Sequence, residues 1–373
     1  MTVRVSKPEF NLREKLSELD KPPGVKGLDL MGSETSQDAR DFISAGRKNL
    51  IINGGMRIHQ RGTASYTLNS GNTNEFIVDR FRAFSGAGTI VASQDTTVPD
   101  GQGFAKSIKL DCTVADASTE TEGYIEYRPE AQDFYHLAYG TSGAKTITIS
   151  FFVKSSYAAT YGFYYYIPDA GPRAYQTTFA ISSANTWEKK TITIPGDIGG
   201  SGFSNDNGVG AEIRIIFNGT SGQRGSSNQN SWSTNTSNRL PTGTNLLSST
   251  SNDFFLTGFQ IEVGRNATEF EHRSFTEELL LCQRYYEAVY MTDGTAMFKS
   301  YASYGGSANF EMQFKVDKRA TPTWSLEGNA AWSGATPNAF ESKSGCIFQH
   351  NAGTQFALGD AHDDLCGSFS CEL

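Results

Sequence analysis

The chain has 373 residues, 38 of them glycine, with 12 % aromatic and 19 % charged residues and a formal net charge of −8. Fewer charges than the usual quarter, with many Gly, Ser and Asn turns, exclude an acidic disordered chain and a helical bundle. The negative balance counts against a nucleic-acid partner, which would want a basic surface, and no run of about 18 apolar residues exists, so no membrane insertion is expected.

The length suggests two or three structural units at roughly 150 residues each. Residues 1–48 differ from the rest, carrying nine basic and eight acidic residues. Phe10, Leu12, Leu16 and Leu19 recur near helical spacing, and Pro22-Pro23-Gly24 ends that pattern. A second short helix is expected from Ser36 to Ser44. Two short helices cannot bury a core alone, so this segment reads as a docking arm that orders on a partner, with those four apolar residues as its contacts.

Residues 49–264 carry a β signal throughout. Strands are expected at Asn49–Asn53, Ser107–Leu110, Gly123–Tyr127, Thr146–Val153, Gly162–Ile167, Tyr175–Ile181, Glu188–Ile194, Glu212–Phe217 and Asp253–Val263. In Thr146–Val153 the residues Ile147, Ile149, Phe151 and Val153 alternate with Thr148, Ser150 and Phe152, so one face is buried. Some nine strands without a helical period predict a two-sheet β-sandwich or jelly roll. Gly, Ser, Thr and Asn make 26 of the 35 residues in 218–252, which reads as a long surface loop.

Residues 265–290 read as a linker helix. Ser274 and Glu277 form a capping box, and Leu279, Leu280, Leu281, Cys282, Tyr285, Tyr286 and Val289 follow as a broad apolar face. Residues 291–373 return to short strands and read as a small C-terminal β domain. The fold class is therefore mainly β, with an N-terminal helical arm, a sandwich, a linker helix and a small terminal β domain.

No signal peptide is visible in Met1–Asp20, and five scattered cysteines read as free thiols. His362, Cys366 and Cys371 supply three ligands at spacings of no common zinc site, so no metal and no cofactor are expected. Five histidines lack a Ser or Cys partner at any motif spacing, and no GxSxG, HExxH or P-loop occurs. The chain is accordingly read as a non-enzyme. Carboxylate pairs such as Glu126 with Glu130 could serve a glycosidase only across a cleft. Tyr164 and Tyr166 should share one strand face, with Tyr165 on the other. Together with Trp187, Trp324 and Trp332 they are the candidate sugar-stacking residues; the alternative is that these rings fill cores.

Three stretches carry a family resemblance: "SKPEFNLREKLSELD" with "ETSQDARDFISAGRKNLIINGGMRIHQRGT", "TSGAKTITISFFVKSS" with "NTWEKKTITIPGD", and "FFLTGFQIEVGRNATEFEHRSFTEELLLCQRYYE" with "FKVDKRATPTWS" and "FSCEL". In these the chain resembles bacteriophage tail-fibre proteins of marine and cyanobacterial phages. The resemblance implies a virion protein of the tail, made in the host cytoplasm, docked to other tail proteins by its N-terminal arm. It also implies a homotrimer that contributes to host attachment. The second reading is a carbohydrate-binding receptor-recognition module for a host surface polysaccharide, with glycan degradation as its catalytic extension. Related sugar-binding jelly rolls hold calcium through an Asn-Gly-Phe-Glu run; here Asn53-Gly54-Gly55-Met56-Arg57 stands in its place and lacks the Glu.

Overall fold

The computed structural model describes residues 48–71, 74–117, 121–169, 171–224, 229–235, 237, 244–290, 300–301, 308–326, 331–332, 338–350, 355–356, 358–359 and 365–373. The arm and its contacts Phe10, Leu12, Leu16 and Leu19 lie outside the described residues.

The chain is mainly β. Among the described residues thirteen strands precede residue 264: β1 (Tyr66–Asn69), β2 (Glu75–Val78), β3 (Phe81–Ser85), β4 (Thr89–Asp95), β5 (Ser107–Val114), β6 (Gly123–Tyr127), β7 (Ile147–Ser155), β8 (Thr160–Ile167), β9 (Arg173–Ala180), β10 (Glu188–Ile194), β11 (Glu212–Asn218), β12 (Trp232–Ser233) and β13 (Asp253–Val263). They pair antiparallel into a six-stranded sheet, β1-β4-β5-β13-β7-β10, and a seven-stranded sheet, β12-β9-β8-β11-β6-β3-β2. The period-two pattern read in β7 holds: Ile147, Ile149, Phe151 and Val153 all enter the core. Phe151 stacks on Phe163 of the opposite sheet at 6.2 Å and on Phe259 at 5.5 Å. A buried ring of this size contributes roughly 1.5–3 kcal/mol, so this aromatic seam, within a larger aliphatic core, helps join the two sheets.

Two expectations need correction. Asn49–Asn53 forms a corner, not a strand. The Asn53 side chain donates to the carbonyls of Ile58 and Asp79 and accepts from Ile58 N, holding a left-handed φ of 60°. At Gly54 any Cβ would stand 2.0 Å from the Phe259 carbonyl oxygen, so only glycine fits the approach to β13. The short strands β1 to β4 were not expected; they are four to seven residues long and mix polar with apolar residues.

The linker helix is also shorter than its apolar run. Helix α1 is Ala131–Phe134, and α2 spans only Phe275–Gln283. Ser274 caps α2 as its pattern requires, its Oγ accepting from Glu277 N at 3.2 Å. Tyr286–Tyr290 then forms β14, pairing with the strand Leu365–Ser370. The aromatic and β-branched residues there gain a cross-strand partner far along the chain, as in Tyr286 opposite Ser370, and that contact overrides helical spacing.

Asn49–Leu373 make one compact unit. Buried ion pairs tie the segments after α2 to the sandwich. Arg80 pairs with Glu372, Arg61 reaches Glu372 at 3.2 Å, and Arg284 grips Glu130 through two bonds of 2.7 and 2.8 Å. Arg273 donates to the carbonyls of Ile51 and Asn49 and pairs with Glu271 at 3.6 Å, fixing the passage from β13 into α2.

Candidate functional site

An aromatic and cationic platform covers part of the outer face of the six-stranded sheet. Because β7 points its odd-numbered residues inward, Phe152 and Lys154 point outward. Register places Lys189 of β10 opposite Phe152, and Phe255 of β13 opposite both Lys154 and Lys109. Trp187, just before β10, meets Phe255 edge-on at 6.1 Å. Rings and ammonium groups therefore alternate: Lys154 Nζ lies 4.3 Å from the Phe255 centroid and 5.9 Å from Trp187, and Lys189 Nζ lies 5.9 Å from Phe152. Phe255 is 5 % exposed beneath the lysine stems, whereas Trp187 and Phe152 are half-buried with part of each ring open.

A bulge in β13 limits the platform on one side. The ladder to β7 slips between Thr257 and Gln260, and Gly258 has φ +63°. A Cβ there would meet Phe104 at 2.6 Å and Phe152 at 3.0 Å. The missing side chain lets Phe104 lie against the strand, 5.6 Å from Phe152, 4.9 Å from Phe270 and 5.1 Å from His272. Beyond the bulge, residues 265–271 lie over the face. Glu271 N donates to Gln260 at 2.8 Å, and Thr268 N donates to Glu262 at 3.0 Å.

Carboxylates near the platform are already engaged. Asp111 pairs with Lys109 at 3.4 Å, Asp253 accepts from Ser156 N at 2.9 Å, and Glu188 holds Lys190. Burial opposes ionisation of Asp95, but the hydroxyl and amide of Thr97 and the charges of Lys109 and Lys154 outweigh it and hold this carboxyl below its ordinary value. Lys154 has no carboxylate within salt-bridge distance among the described residues.

The outer face of the seven-stranded sheet carries Tyr164 and Tyr166, which stack at 5.9 Å on one face while Tyr165 enters the main core. Tyr164 is 1 % exposed and offers no open ring face; Tyr166 is half-buried. Cross-strand register puts Gln176, Tyr164, Arg214, Glu126 and Arg82 in one row. Glu126 is fully buried, yet Arg214, Arg82 and Arg128 overcome the cost of burial and keep its carboxyl below the usual range. Arg214 also bonds Glu212 at 2.7 Å and Glu122 at 3.1 Å. Charge on this face is thus matched by direct ion pairs, whereas Lys154 makes none among the described residues.

Trp324 packs against Phe369 at 4.7 Å and Phe348 at 5.2 Å in the small C-terminal core. Trp332 belongs to the two-residue strand Ala331–Trp332, and its side chain lies outside the described residues. Of the candidates whose side chains are described, only Trp187 joins the platform. Phe152, Phe255, Lys109, Lys154 and Lys189 were missed, although β7 alternation already put Phe152 on the non-core face. Glu126 and Glu130 are both locked by arginines, and both titrate below the ordinary range against the pull of burial. Among the described residues no three His, Cys, Asp or Glu side chains gather as a metal centre needs. Among the described residues Cys112, Cys282, Cys346 and Cys371 are buried.

No protein-family model matches the chain, and no curated protein matches it by sequence. Solved structures with partial similarity include the enzymatically active domain of tailspike protein 4 from bacteriophage CBA120. It is 11 % identical, with a TM-score of 0.30, covering 58 % of this chain and 21 % of that one, so the match spans about a fifth of that domain. A putative sugar binding protein from Bacteroides thetaiotaomicron is 10 % identical, with a TM-score of 0.32, covering 58 % of this chain and all of that one. A carbohydrate-binding module described as CBM4 is 12 % identical, with a TM-score of 0.27, covering 57 % and 98 %. Similarity at this level assigns no family and transfers no residue.

Proposed function

We propose that the chain is an attachment protein of a phage tail, a homotrimer docked to other tail proteins through residues 1–48 and gripping a surface polysaccharide with its β-sandwich. The resemblance of the leader and of the β13–α2 region to tail-fibre proteins supports the virion part of this reading. One observation carries the binding part: Trp187 and Phe152, two partly open rings, flank Lys154 on an outer sheet face. Sugar rings present C–H faces that stack on such rings, and lysine ammonium groups donate to their oxygens. An open platform suits a polymer lying across it better than a small ligand, which would need a concave pocket.

Affinity electrophoresis of the full chain through gels containing a panel of bacterial surface polysaccharides tests this. Retardation by at least one polysaccharide that Trp187→Ala weakens about tenfold is the expected result. Equal retardation of wild type and Trp187→Ala, or none with any preparation from cells the particle infects, removes the platform from the function.

A further inference from the structure

We infer that the polysaccharide gripped by this platform is anionic, a chain bearing carboxylate or sulfate groups, and that Lys154 is its principal anion contact. The inference rests on the carbohydrate reading above and names the class of ligand.

The protein as a whole is acidic, so a cationic spot on its surface is a local feature that composition does not produce. Lys154 stands out by its surroundings. Its ammonium is held 4.3 Å above the Phe255 ring and 5.9 Å from Trp187. Rings attract a cation by their quadrupole, but they leave its donor hydrogens without acceptors. Each nearby carboxylate has another partner: Asp111 has Lys109, Asp253 has Ser156 N, Asp95 has Thr97, and Glu188 has Lys190. Lys189, one pair along on β10, spends one bond on the Thr268 carbonyl at 3.1 Å and stays exposed. Lys109 stands on the other side of Phe255, two strand spacings or roughly 10 Å from Lys154. Asp95 acts on Lys154 only through space, so an incoming anion supplies the counter-ion at contact distance that Lys154 does not have among the described residues, and the adjoining open rings of Trp187 and Phe152 take the faces of the sugars that carry it. A neutral glycan would bring no anion into contact with that ammonium.

Lysine binds either anion as a point charge, so two polymer pairs separate them. The full chain is titrated with polygalacturonate against its methyl ester, and with carrageenan against agarose, at low and moderate salt. At least one anionic member should bind about tenfold more tightly than its neutral partner, and the pair that shows the difference identifies carboxylate or sulfate. Lys154→Gln should remove that preference. Lys145→Gln, at an exposed lysine just before β7 begins at Ile147, should not. Equal affinity for charged and neutral members, with Trp187→Ala still weakening both, overturns the anionic class and leaves the carbohydrate reading standing. Loss of the preference in Lys145→Gln as much as in Lys154→Gln reveals diffuse charge and overturns it. Binding of polyphosphate as tight as that of the anionic polysaccharide shows that the rings contribute nothing and overturns it also. Failure of every polymer to bind sinks both readings together.

Discussion

The Lys154 ammonium lies 4.3 Å from the centre of the Phe255 ring, while Lys109 approaches the same ring to 6.0 Å from the neighbouring strand. The ring is a floor that positions two cations. Phe255→Leu keeps most of the apolar volume and removes the quadrupole. It should cost less than about 1.5 kcal/mol in denaturant unfolding, yet lower polysaccharide affinity several-fold. An affinity unchanged within error would mean that the lysines need no aromatic support.

Gly258→Ala probes the bulge. The substitution meets Phe104 and Phe152 and must hold a left-handed backbone. Strain of about 1–2 kcal/mol plus the clash should lower the unfolding midpoint and disturb binding together, because Phe152 is one of the displaced rings. Near-UV circular dichroism of the aromatic cluster would register the shift.

Much of this arrangement was legible in the sequence, and some of it was not. The alternation of Thr146–Val153 fixes which side chains enter the core, and by subtraction puts Phe152 outside. The capping box sets the start of α2. The meeting of Lys109, Lys154, Trp187 and Phe255 was not readable, because it depends on the register of four strands drawn from four parts of the chain. The end of α2 was hidden for the same reason, since β14 exists only through its partner at 365–370. Tyr164 and Tyr166 were placed on one face correctly, but what buries Tyr164 is a long-range matter that period-two counting does not reach.

Glu126→Gln should be among the most destabilising single changes. It leaves Arg82, Arg128 and Arg214 around a neutral amide in a buried place. Removing one partner of a buried ion cluster typically costs about 3–5 kcal/mol. The loss should appear as a lower urea midpoint, with the platform on the opposite sheet still binding in the folded fraction. A shift below about 1 kcal/mol would show the arginines to be satisfied by Glu122 and Glu212 alone.

His59 gives a pH dependence with a defined sign. Burial, reinforced by the charges of Arg61 and Lys106, lowers its imidazole to about 4 from the ordinary 6.5. Between those values the unfolded chain takes up a proton that the folded chain refuses, so acid favours unfolding in that window. The His59 contribution to stability should therefore decline as pH falls from about 6.5 to about 4. His59→Asn should flatten that stretch of the urea-midpoint curve, and an identical slope in the variant would assign the dependence to other groups.

The anchor reading makes its own prediction. Changing Leu12 and Leu16 together to Asp should abolish incorporation into particles while leaving the thermal unfolding of Asn49–Leu373 in place, read by particle composition and by calorimetry. Normal incorporation would move the docking surface elsewhere in the chain.

Tryptophan fluorescence tests the platform most directly. Trp187 is partly open on the sheet face, while Trp232 packs against Tyr139, Tyr165 and Tyr175 and Trp324 sits in the C-terminal core. Saturating the protein with a polysaccharide it retains should shift the emission and shield it from acrylamide. In Trp187→Phe, which keeps a ring for stacking, binding should persist while the emission change disappears. An emission change that survives in Trp187→Phe, or binding that leaves Trp187 as open to acrylamide as before, would place the polysaccharide somewhere other than the outer face of the six-stranded sheet.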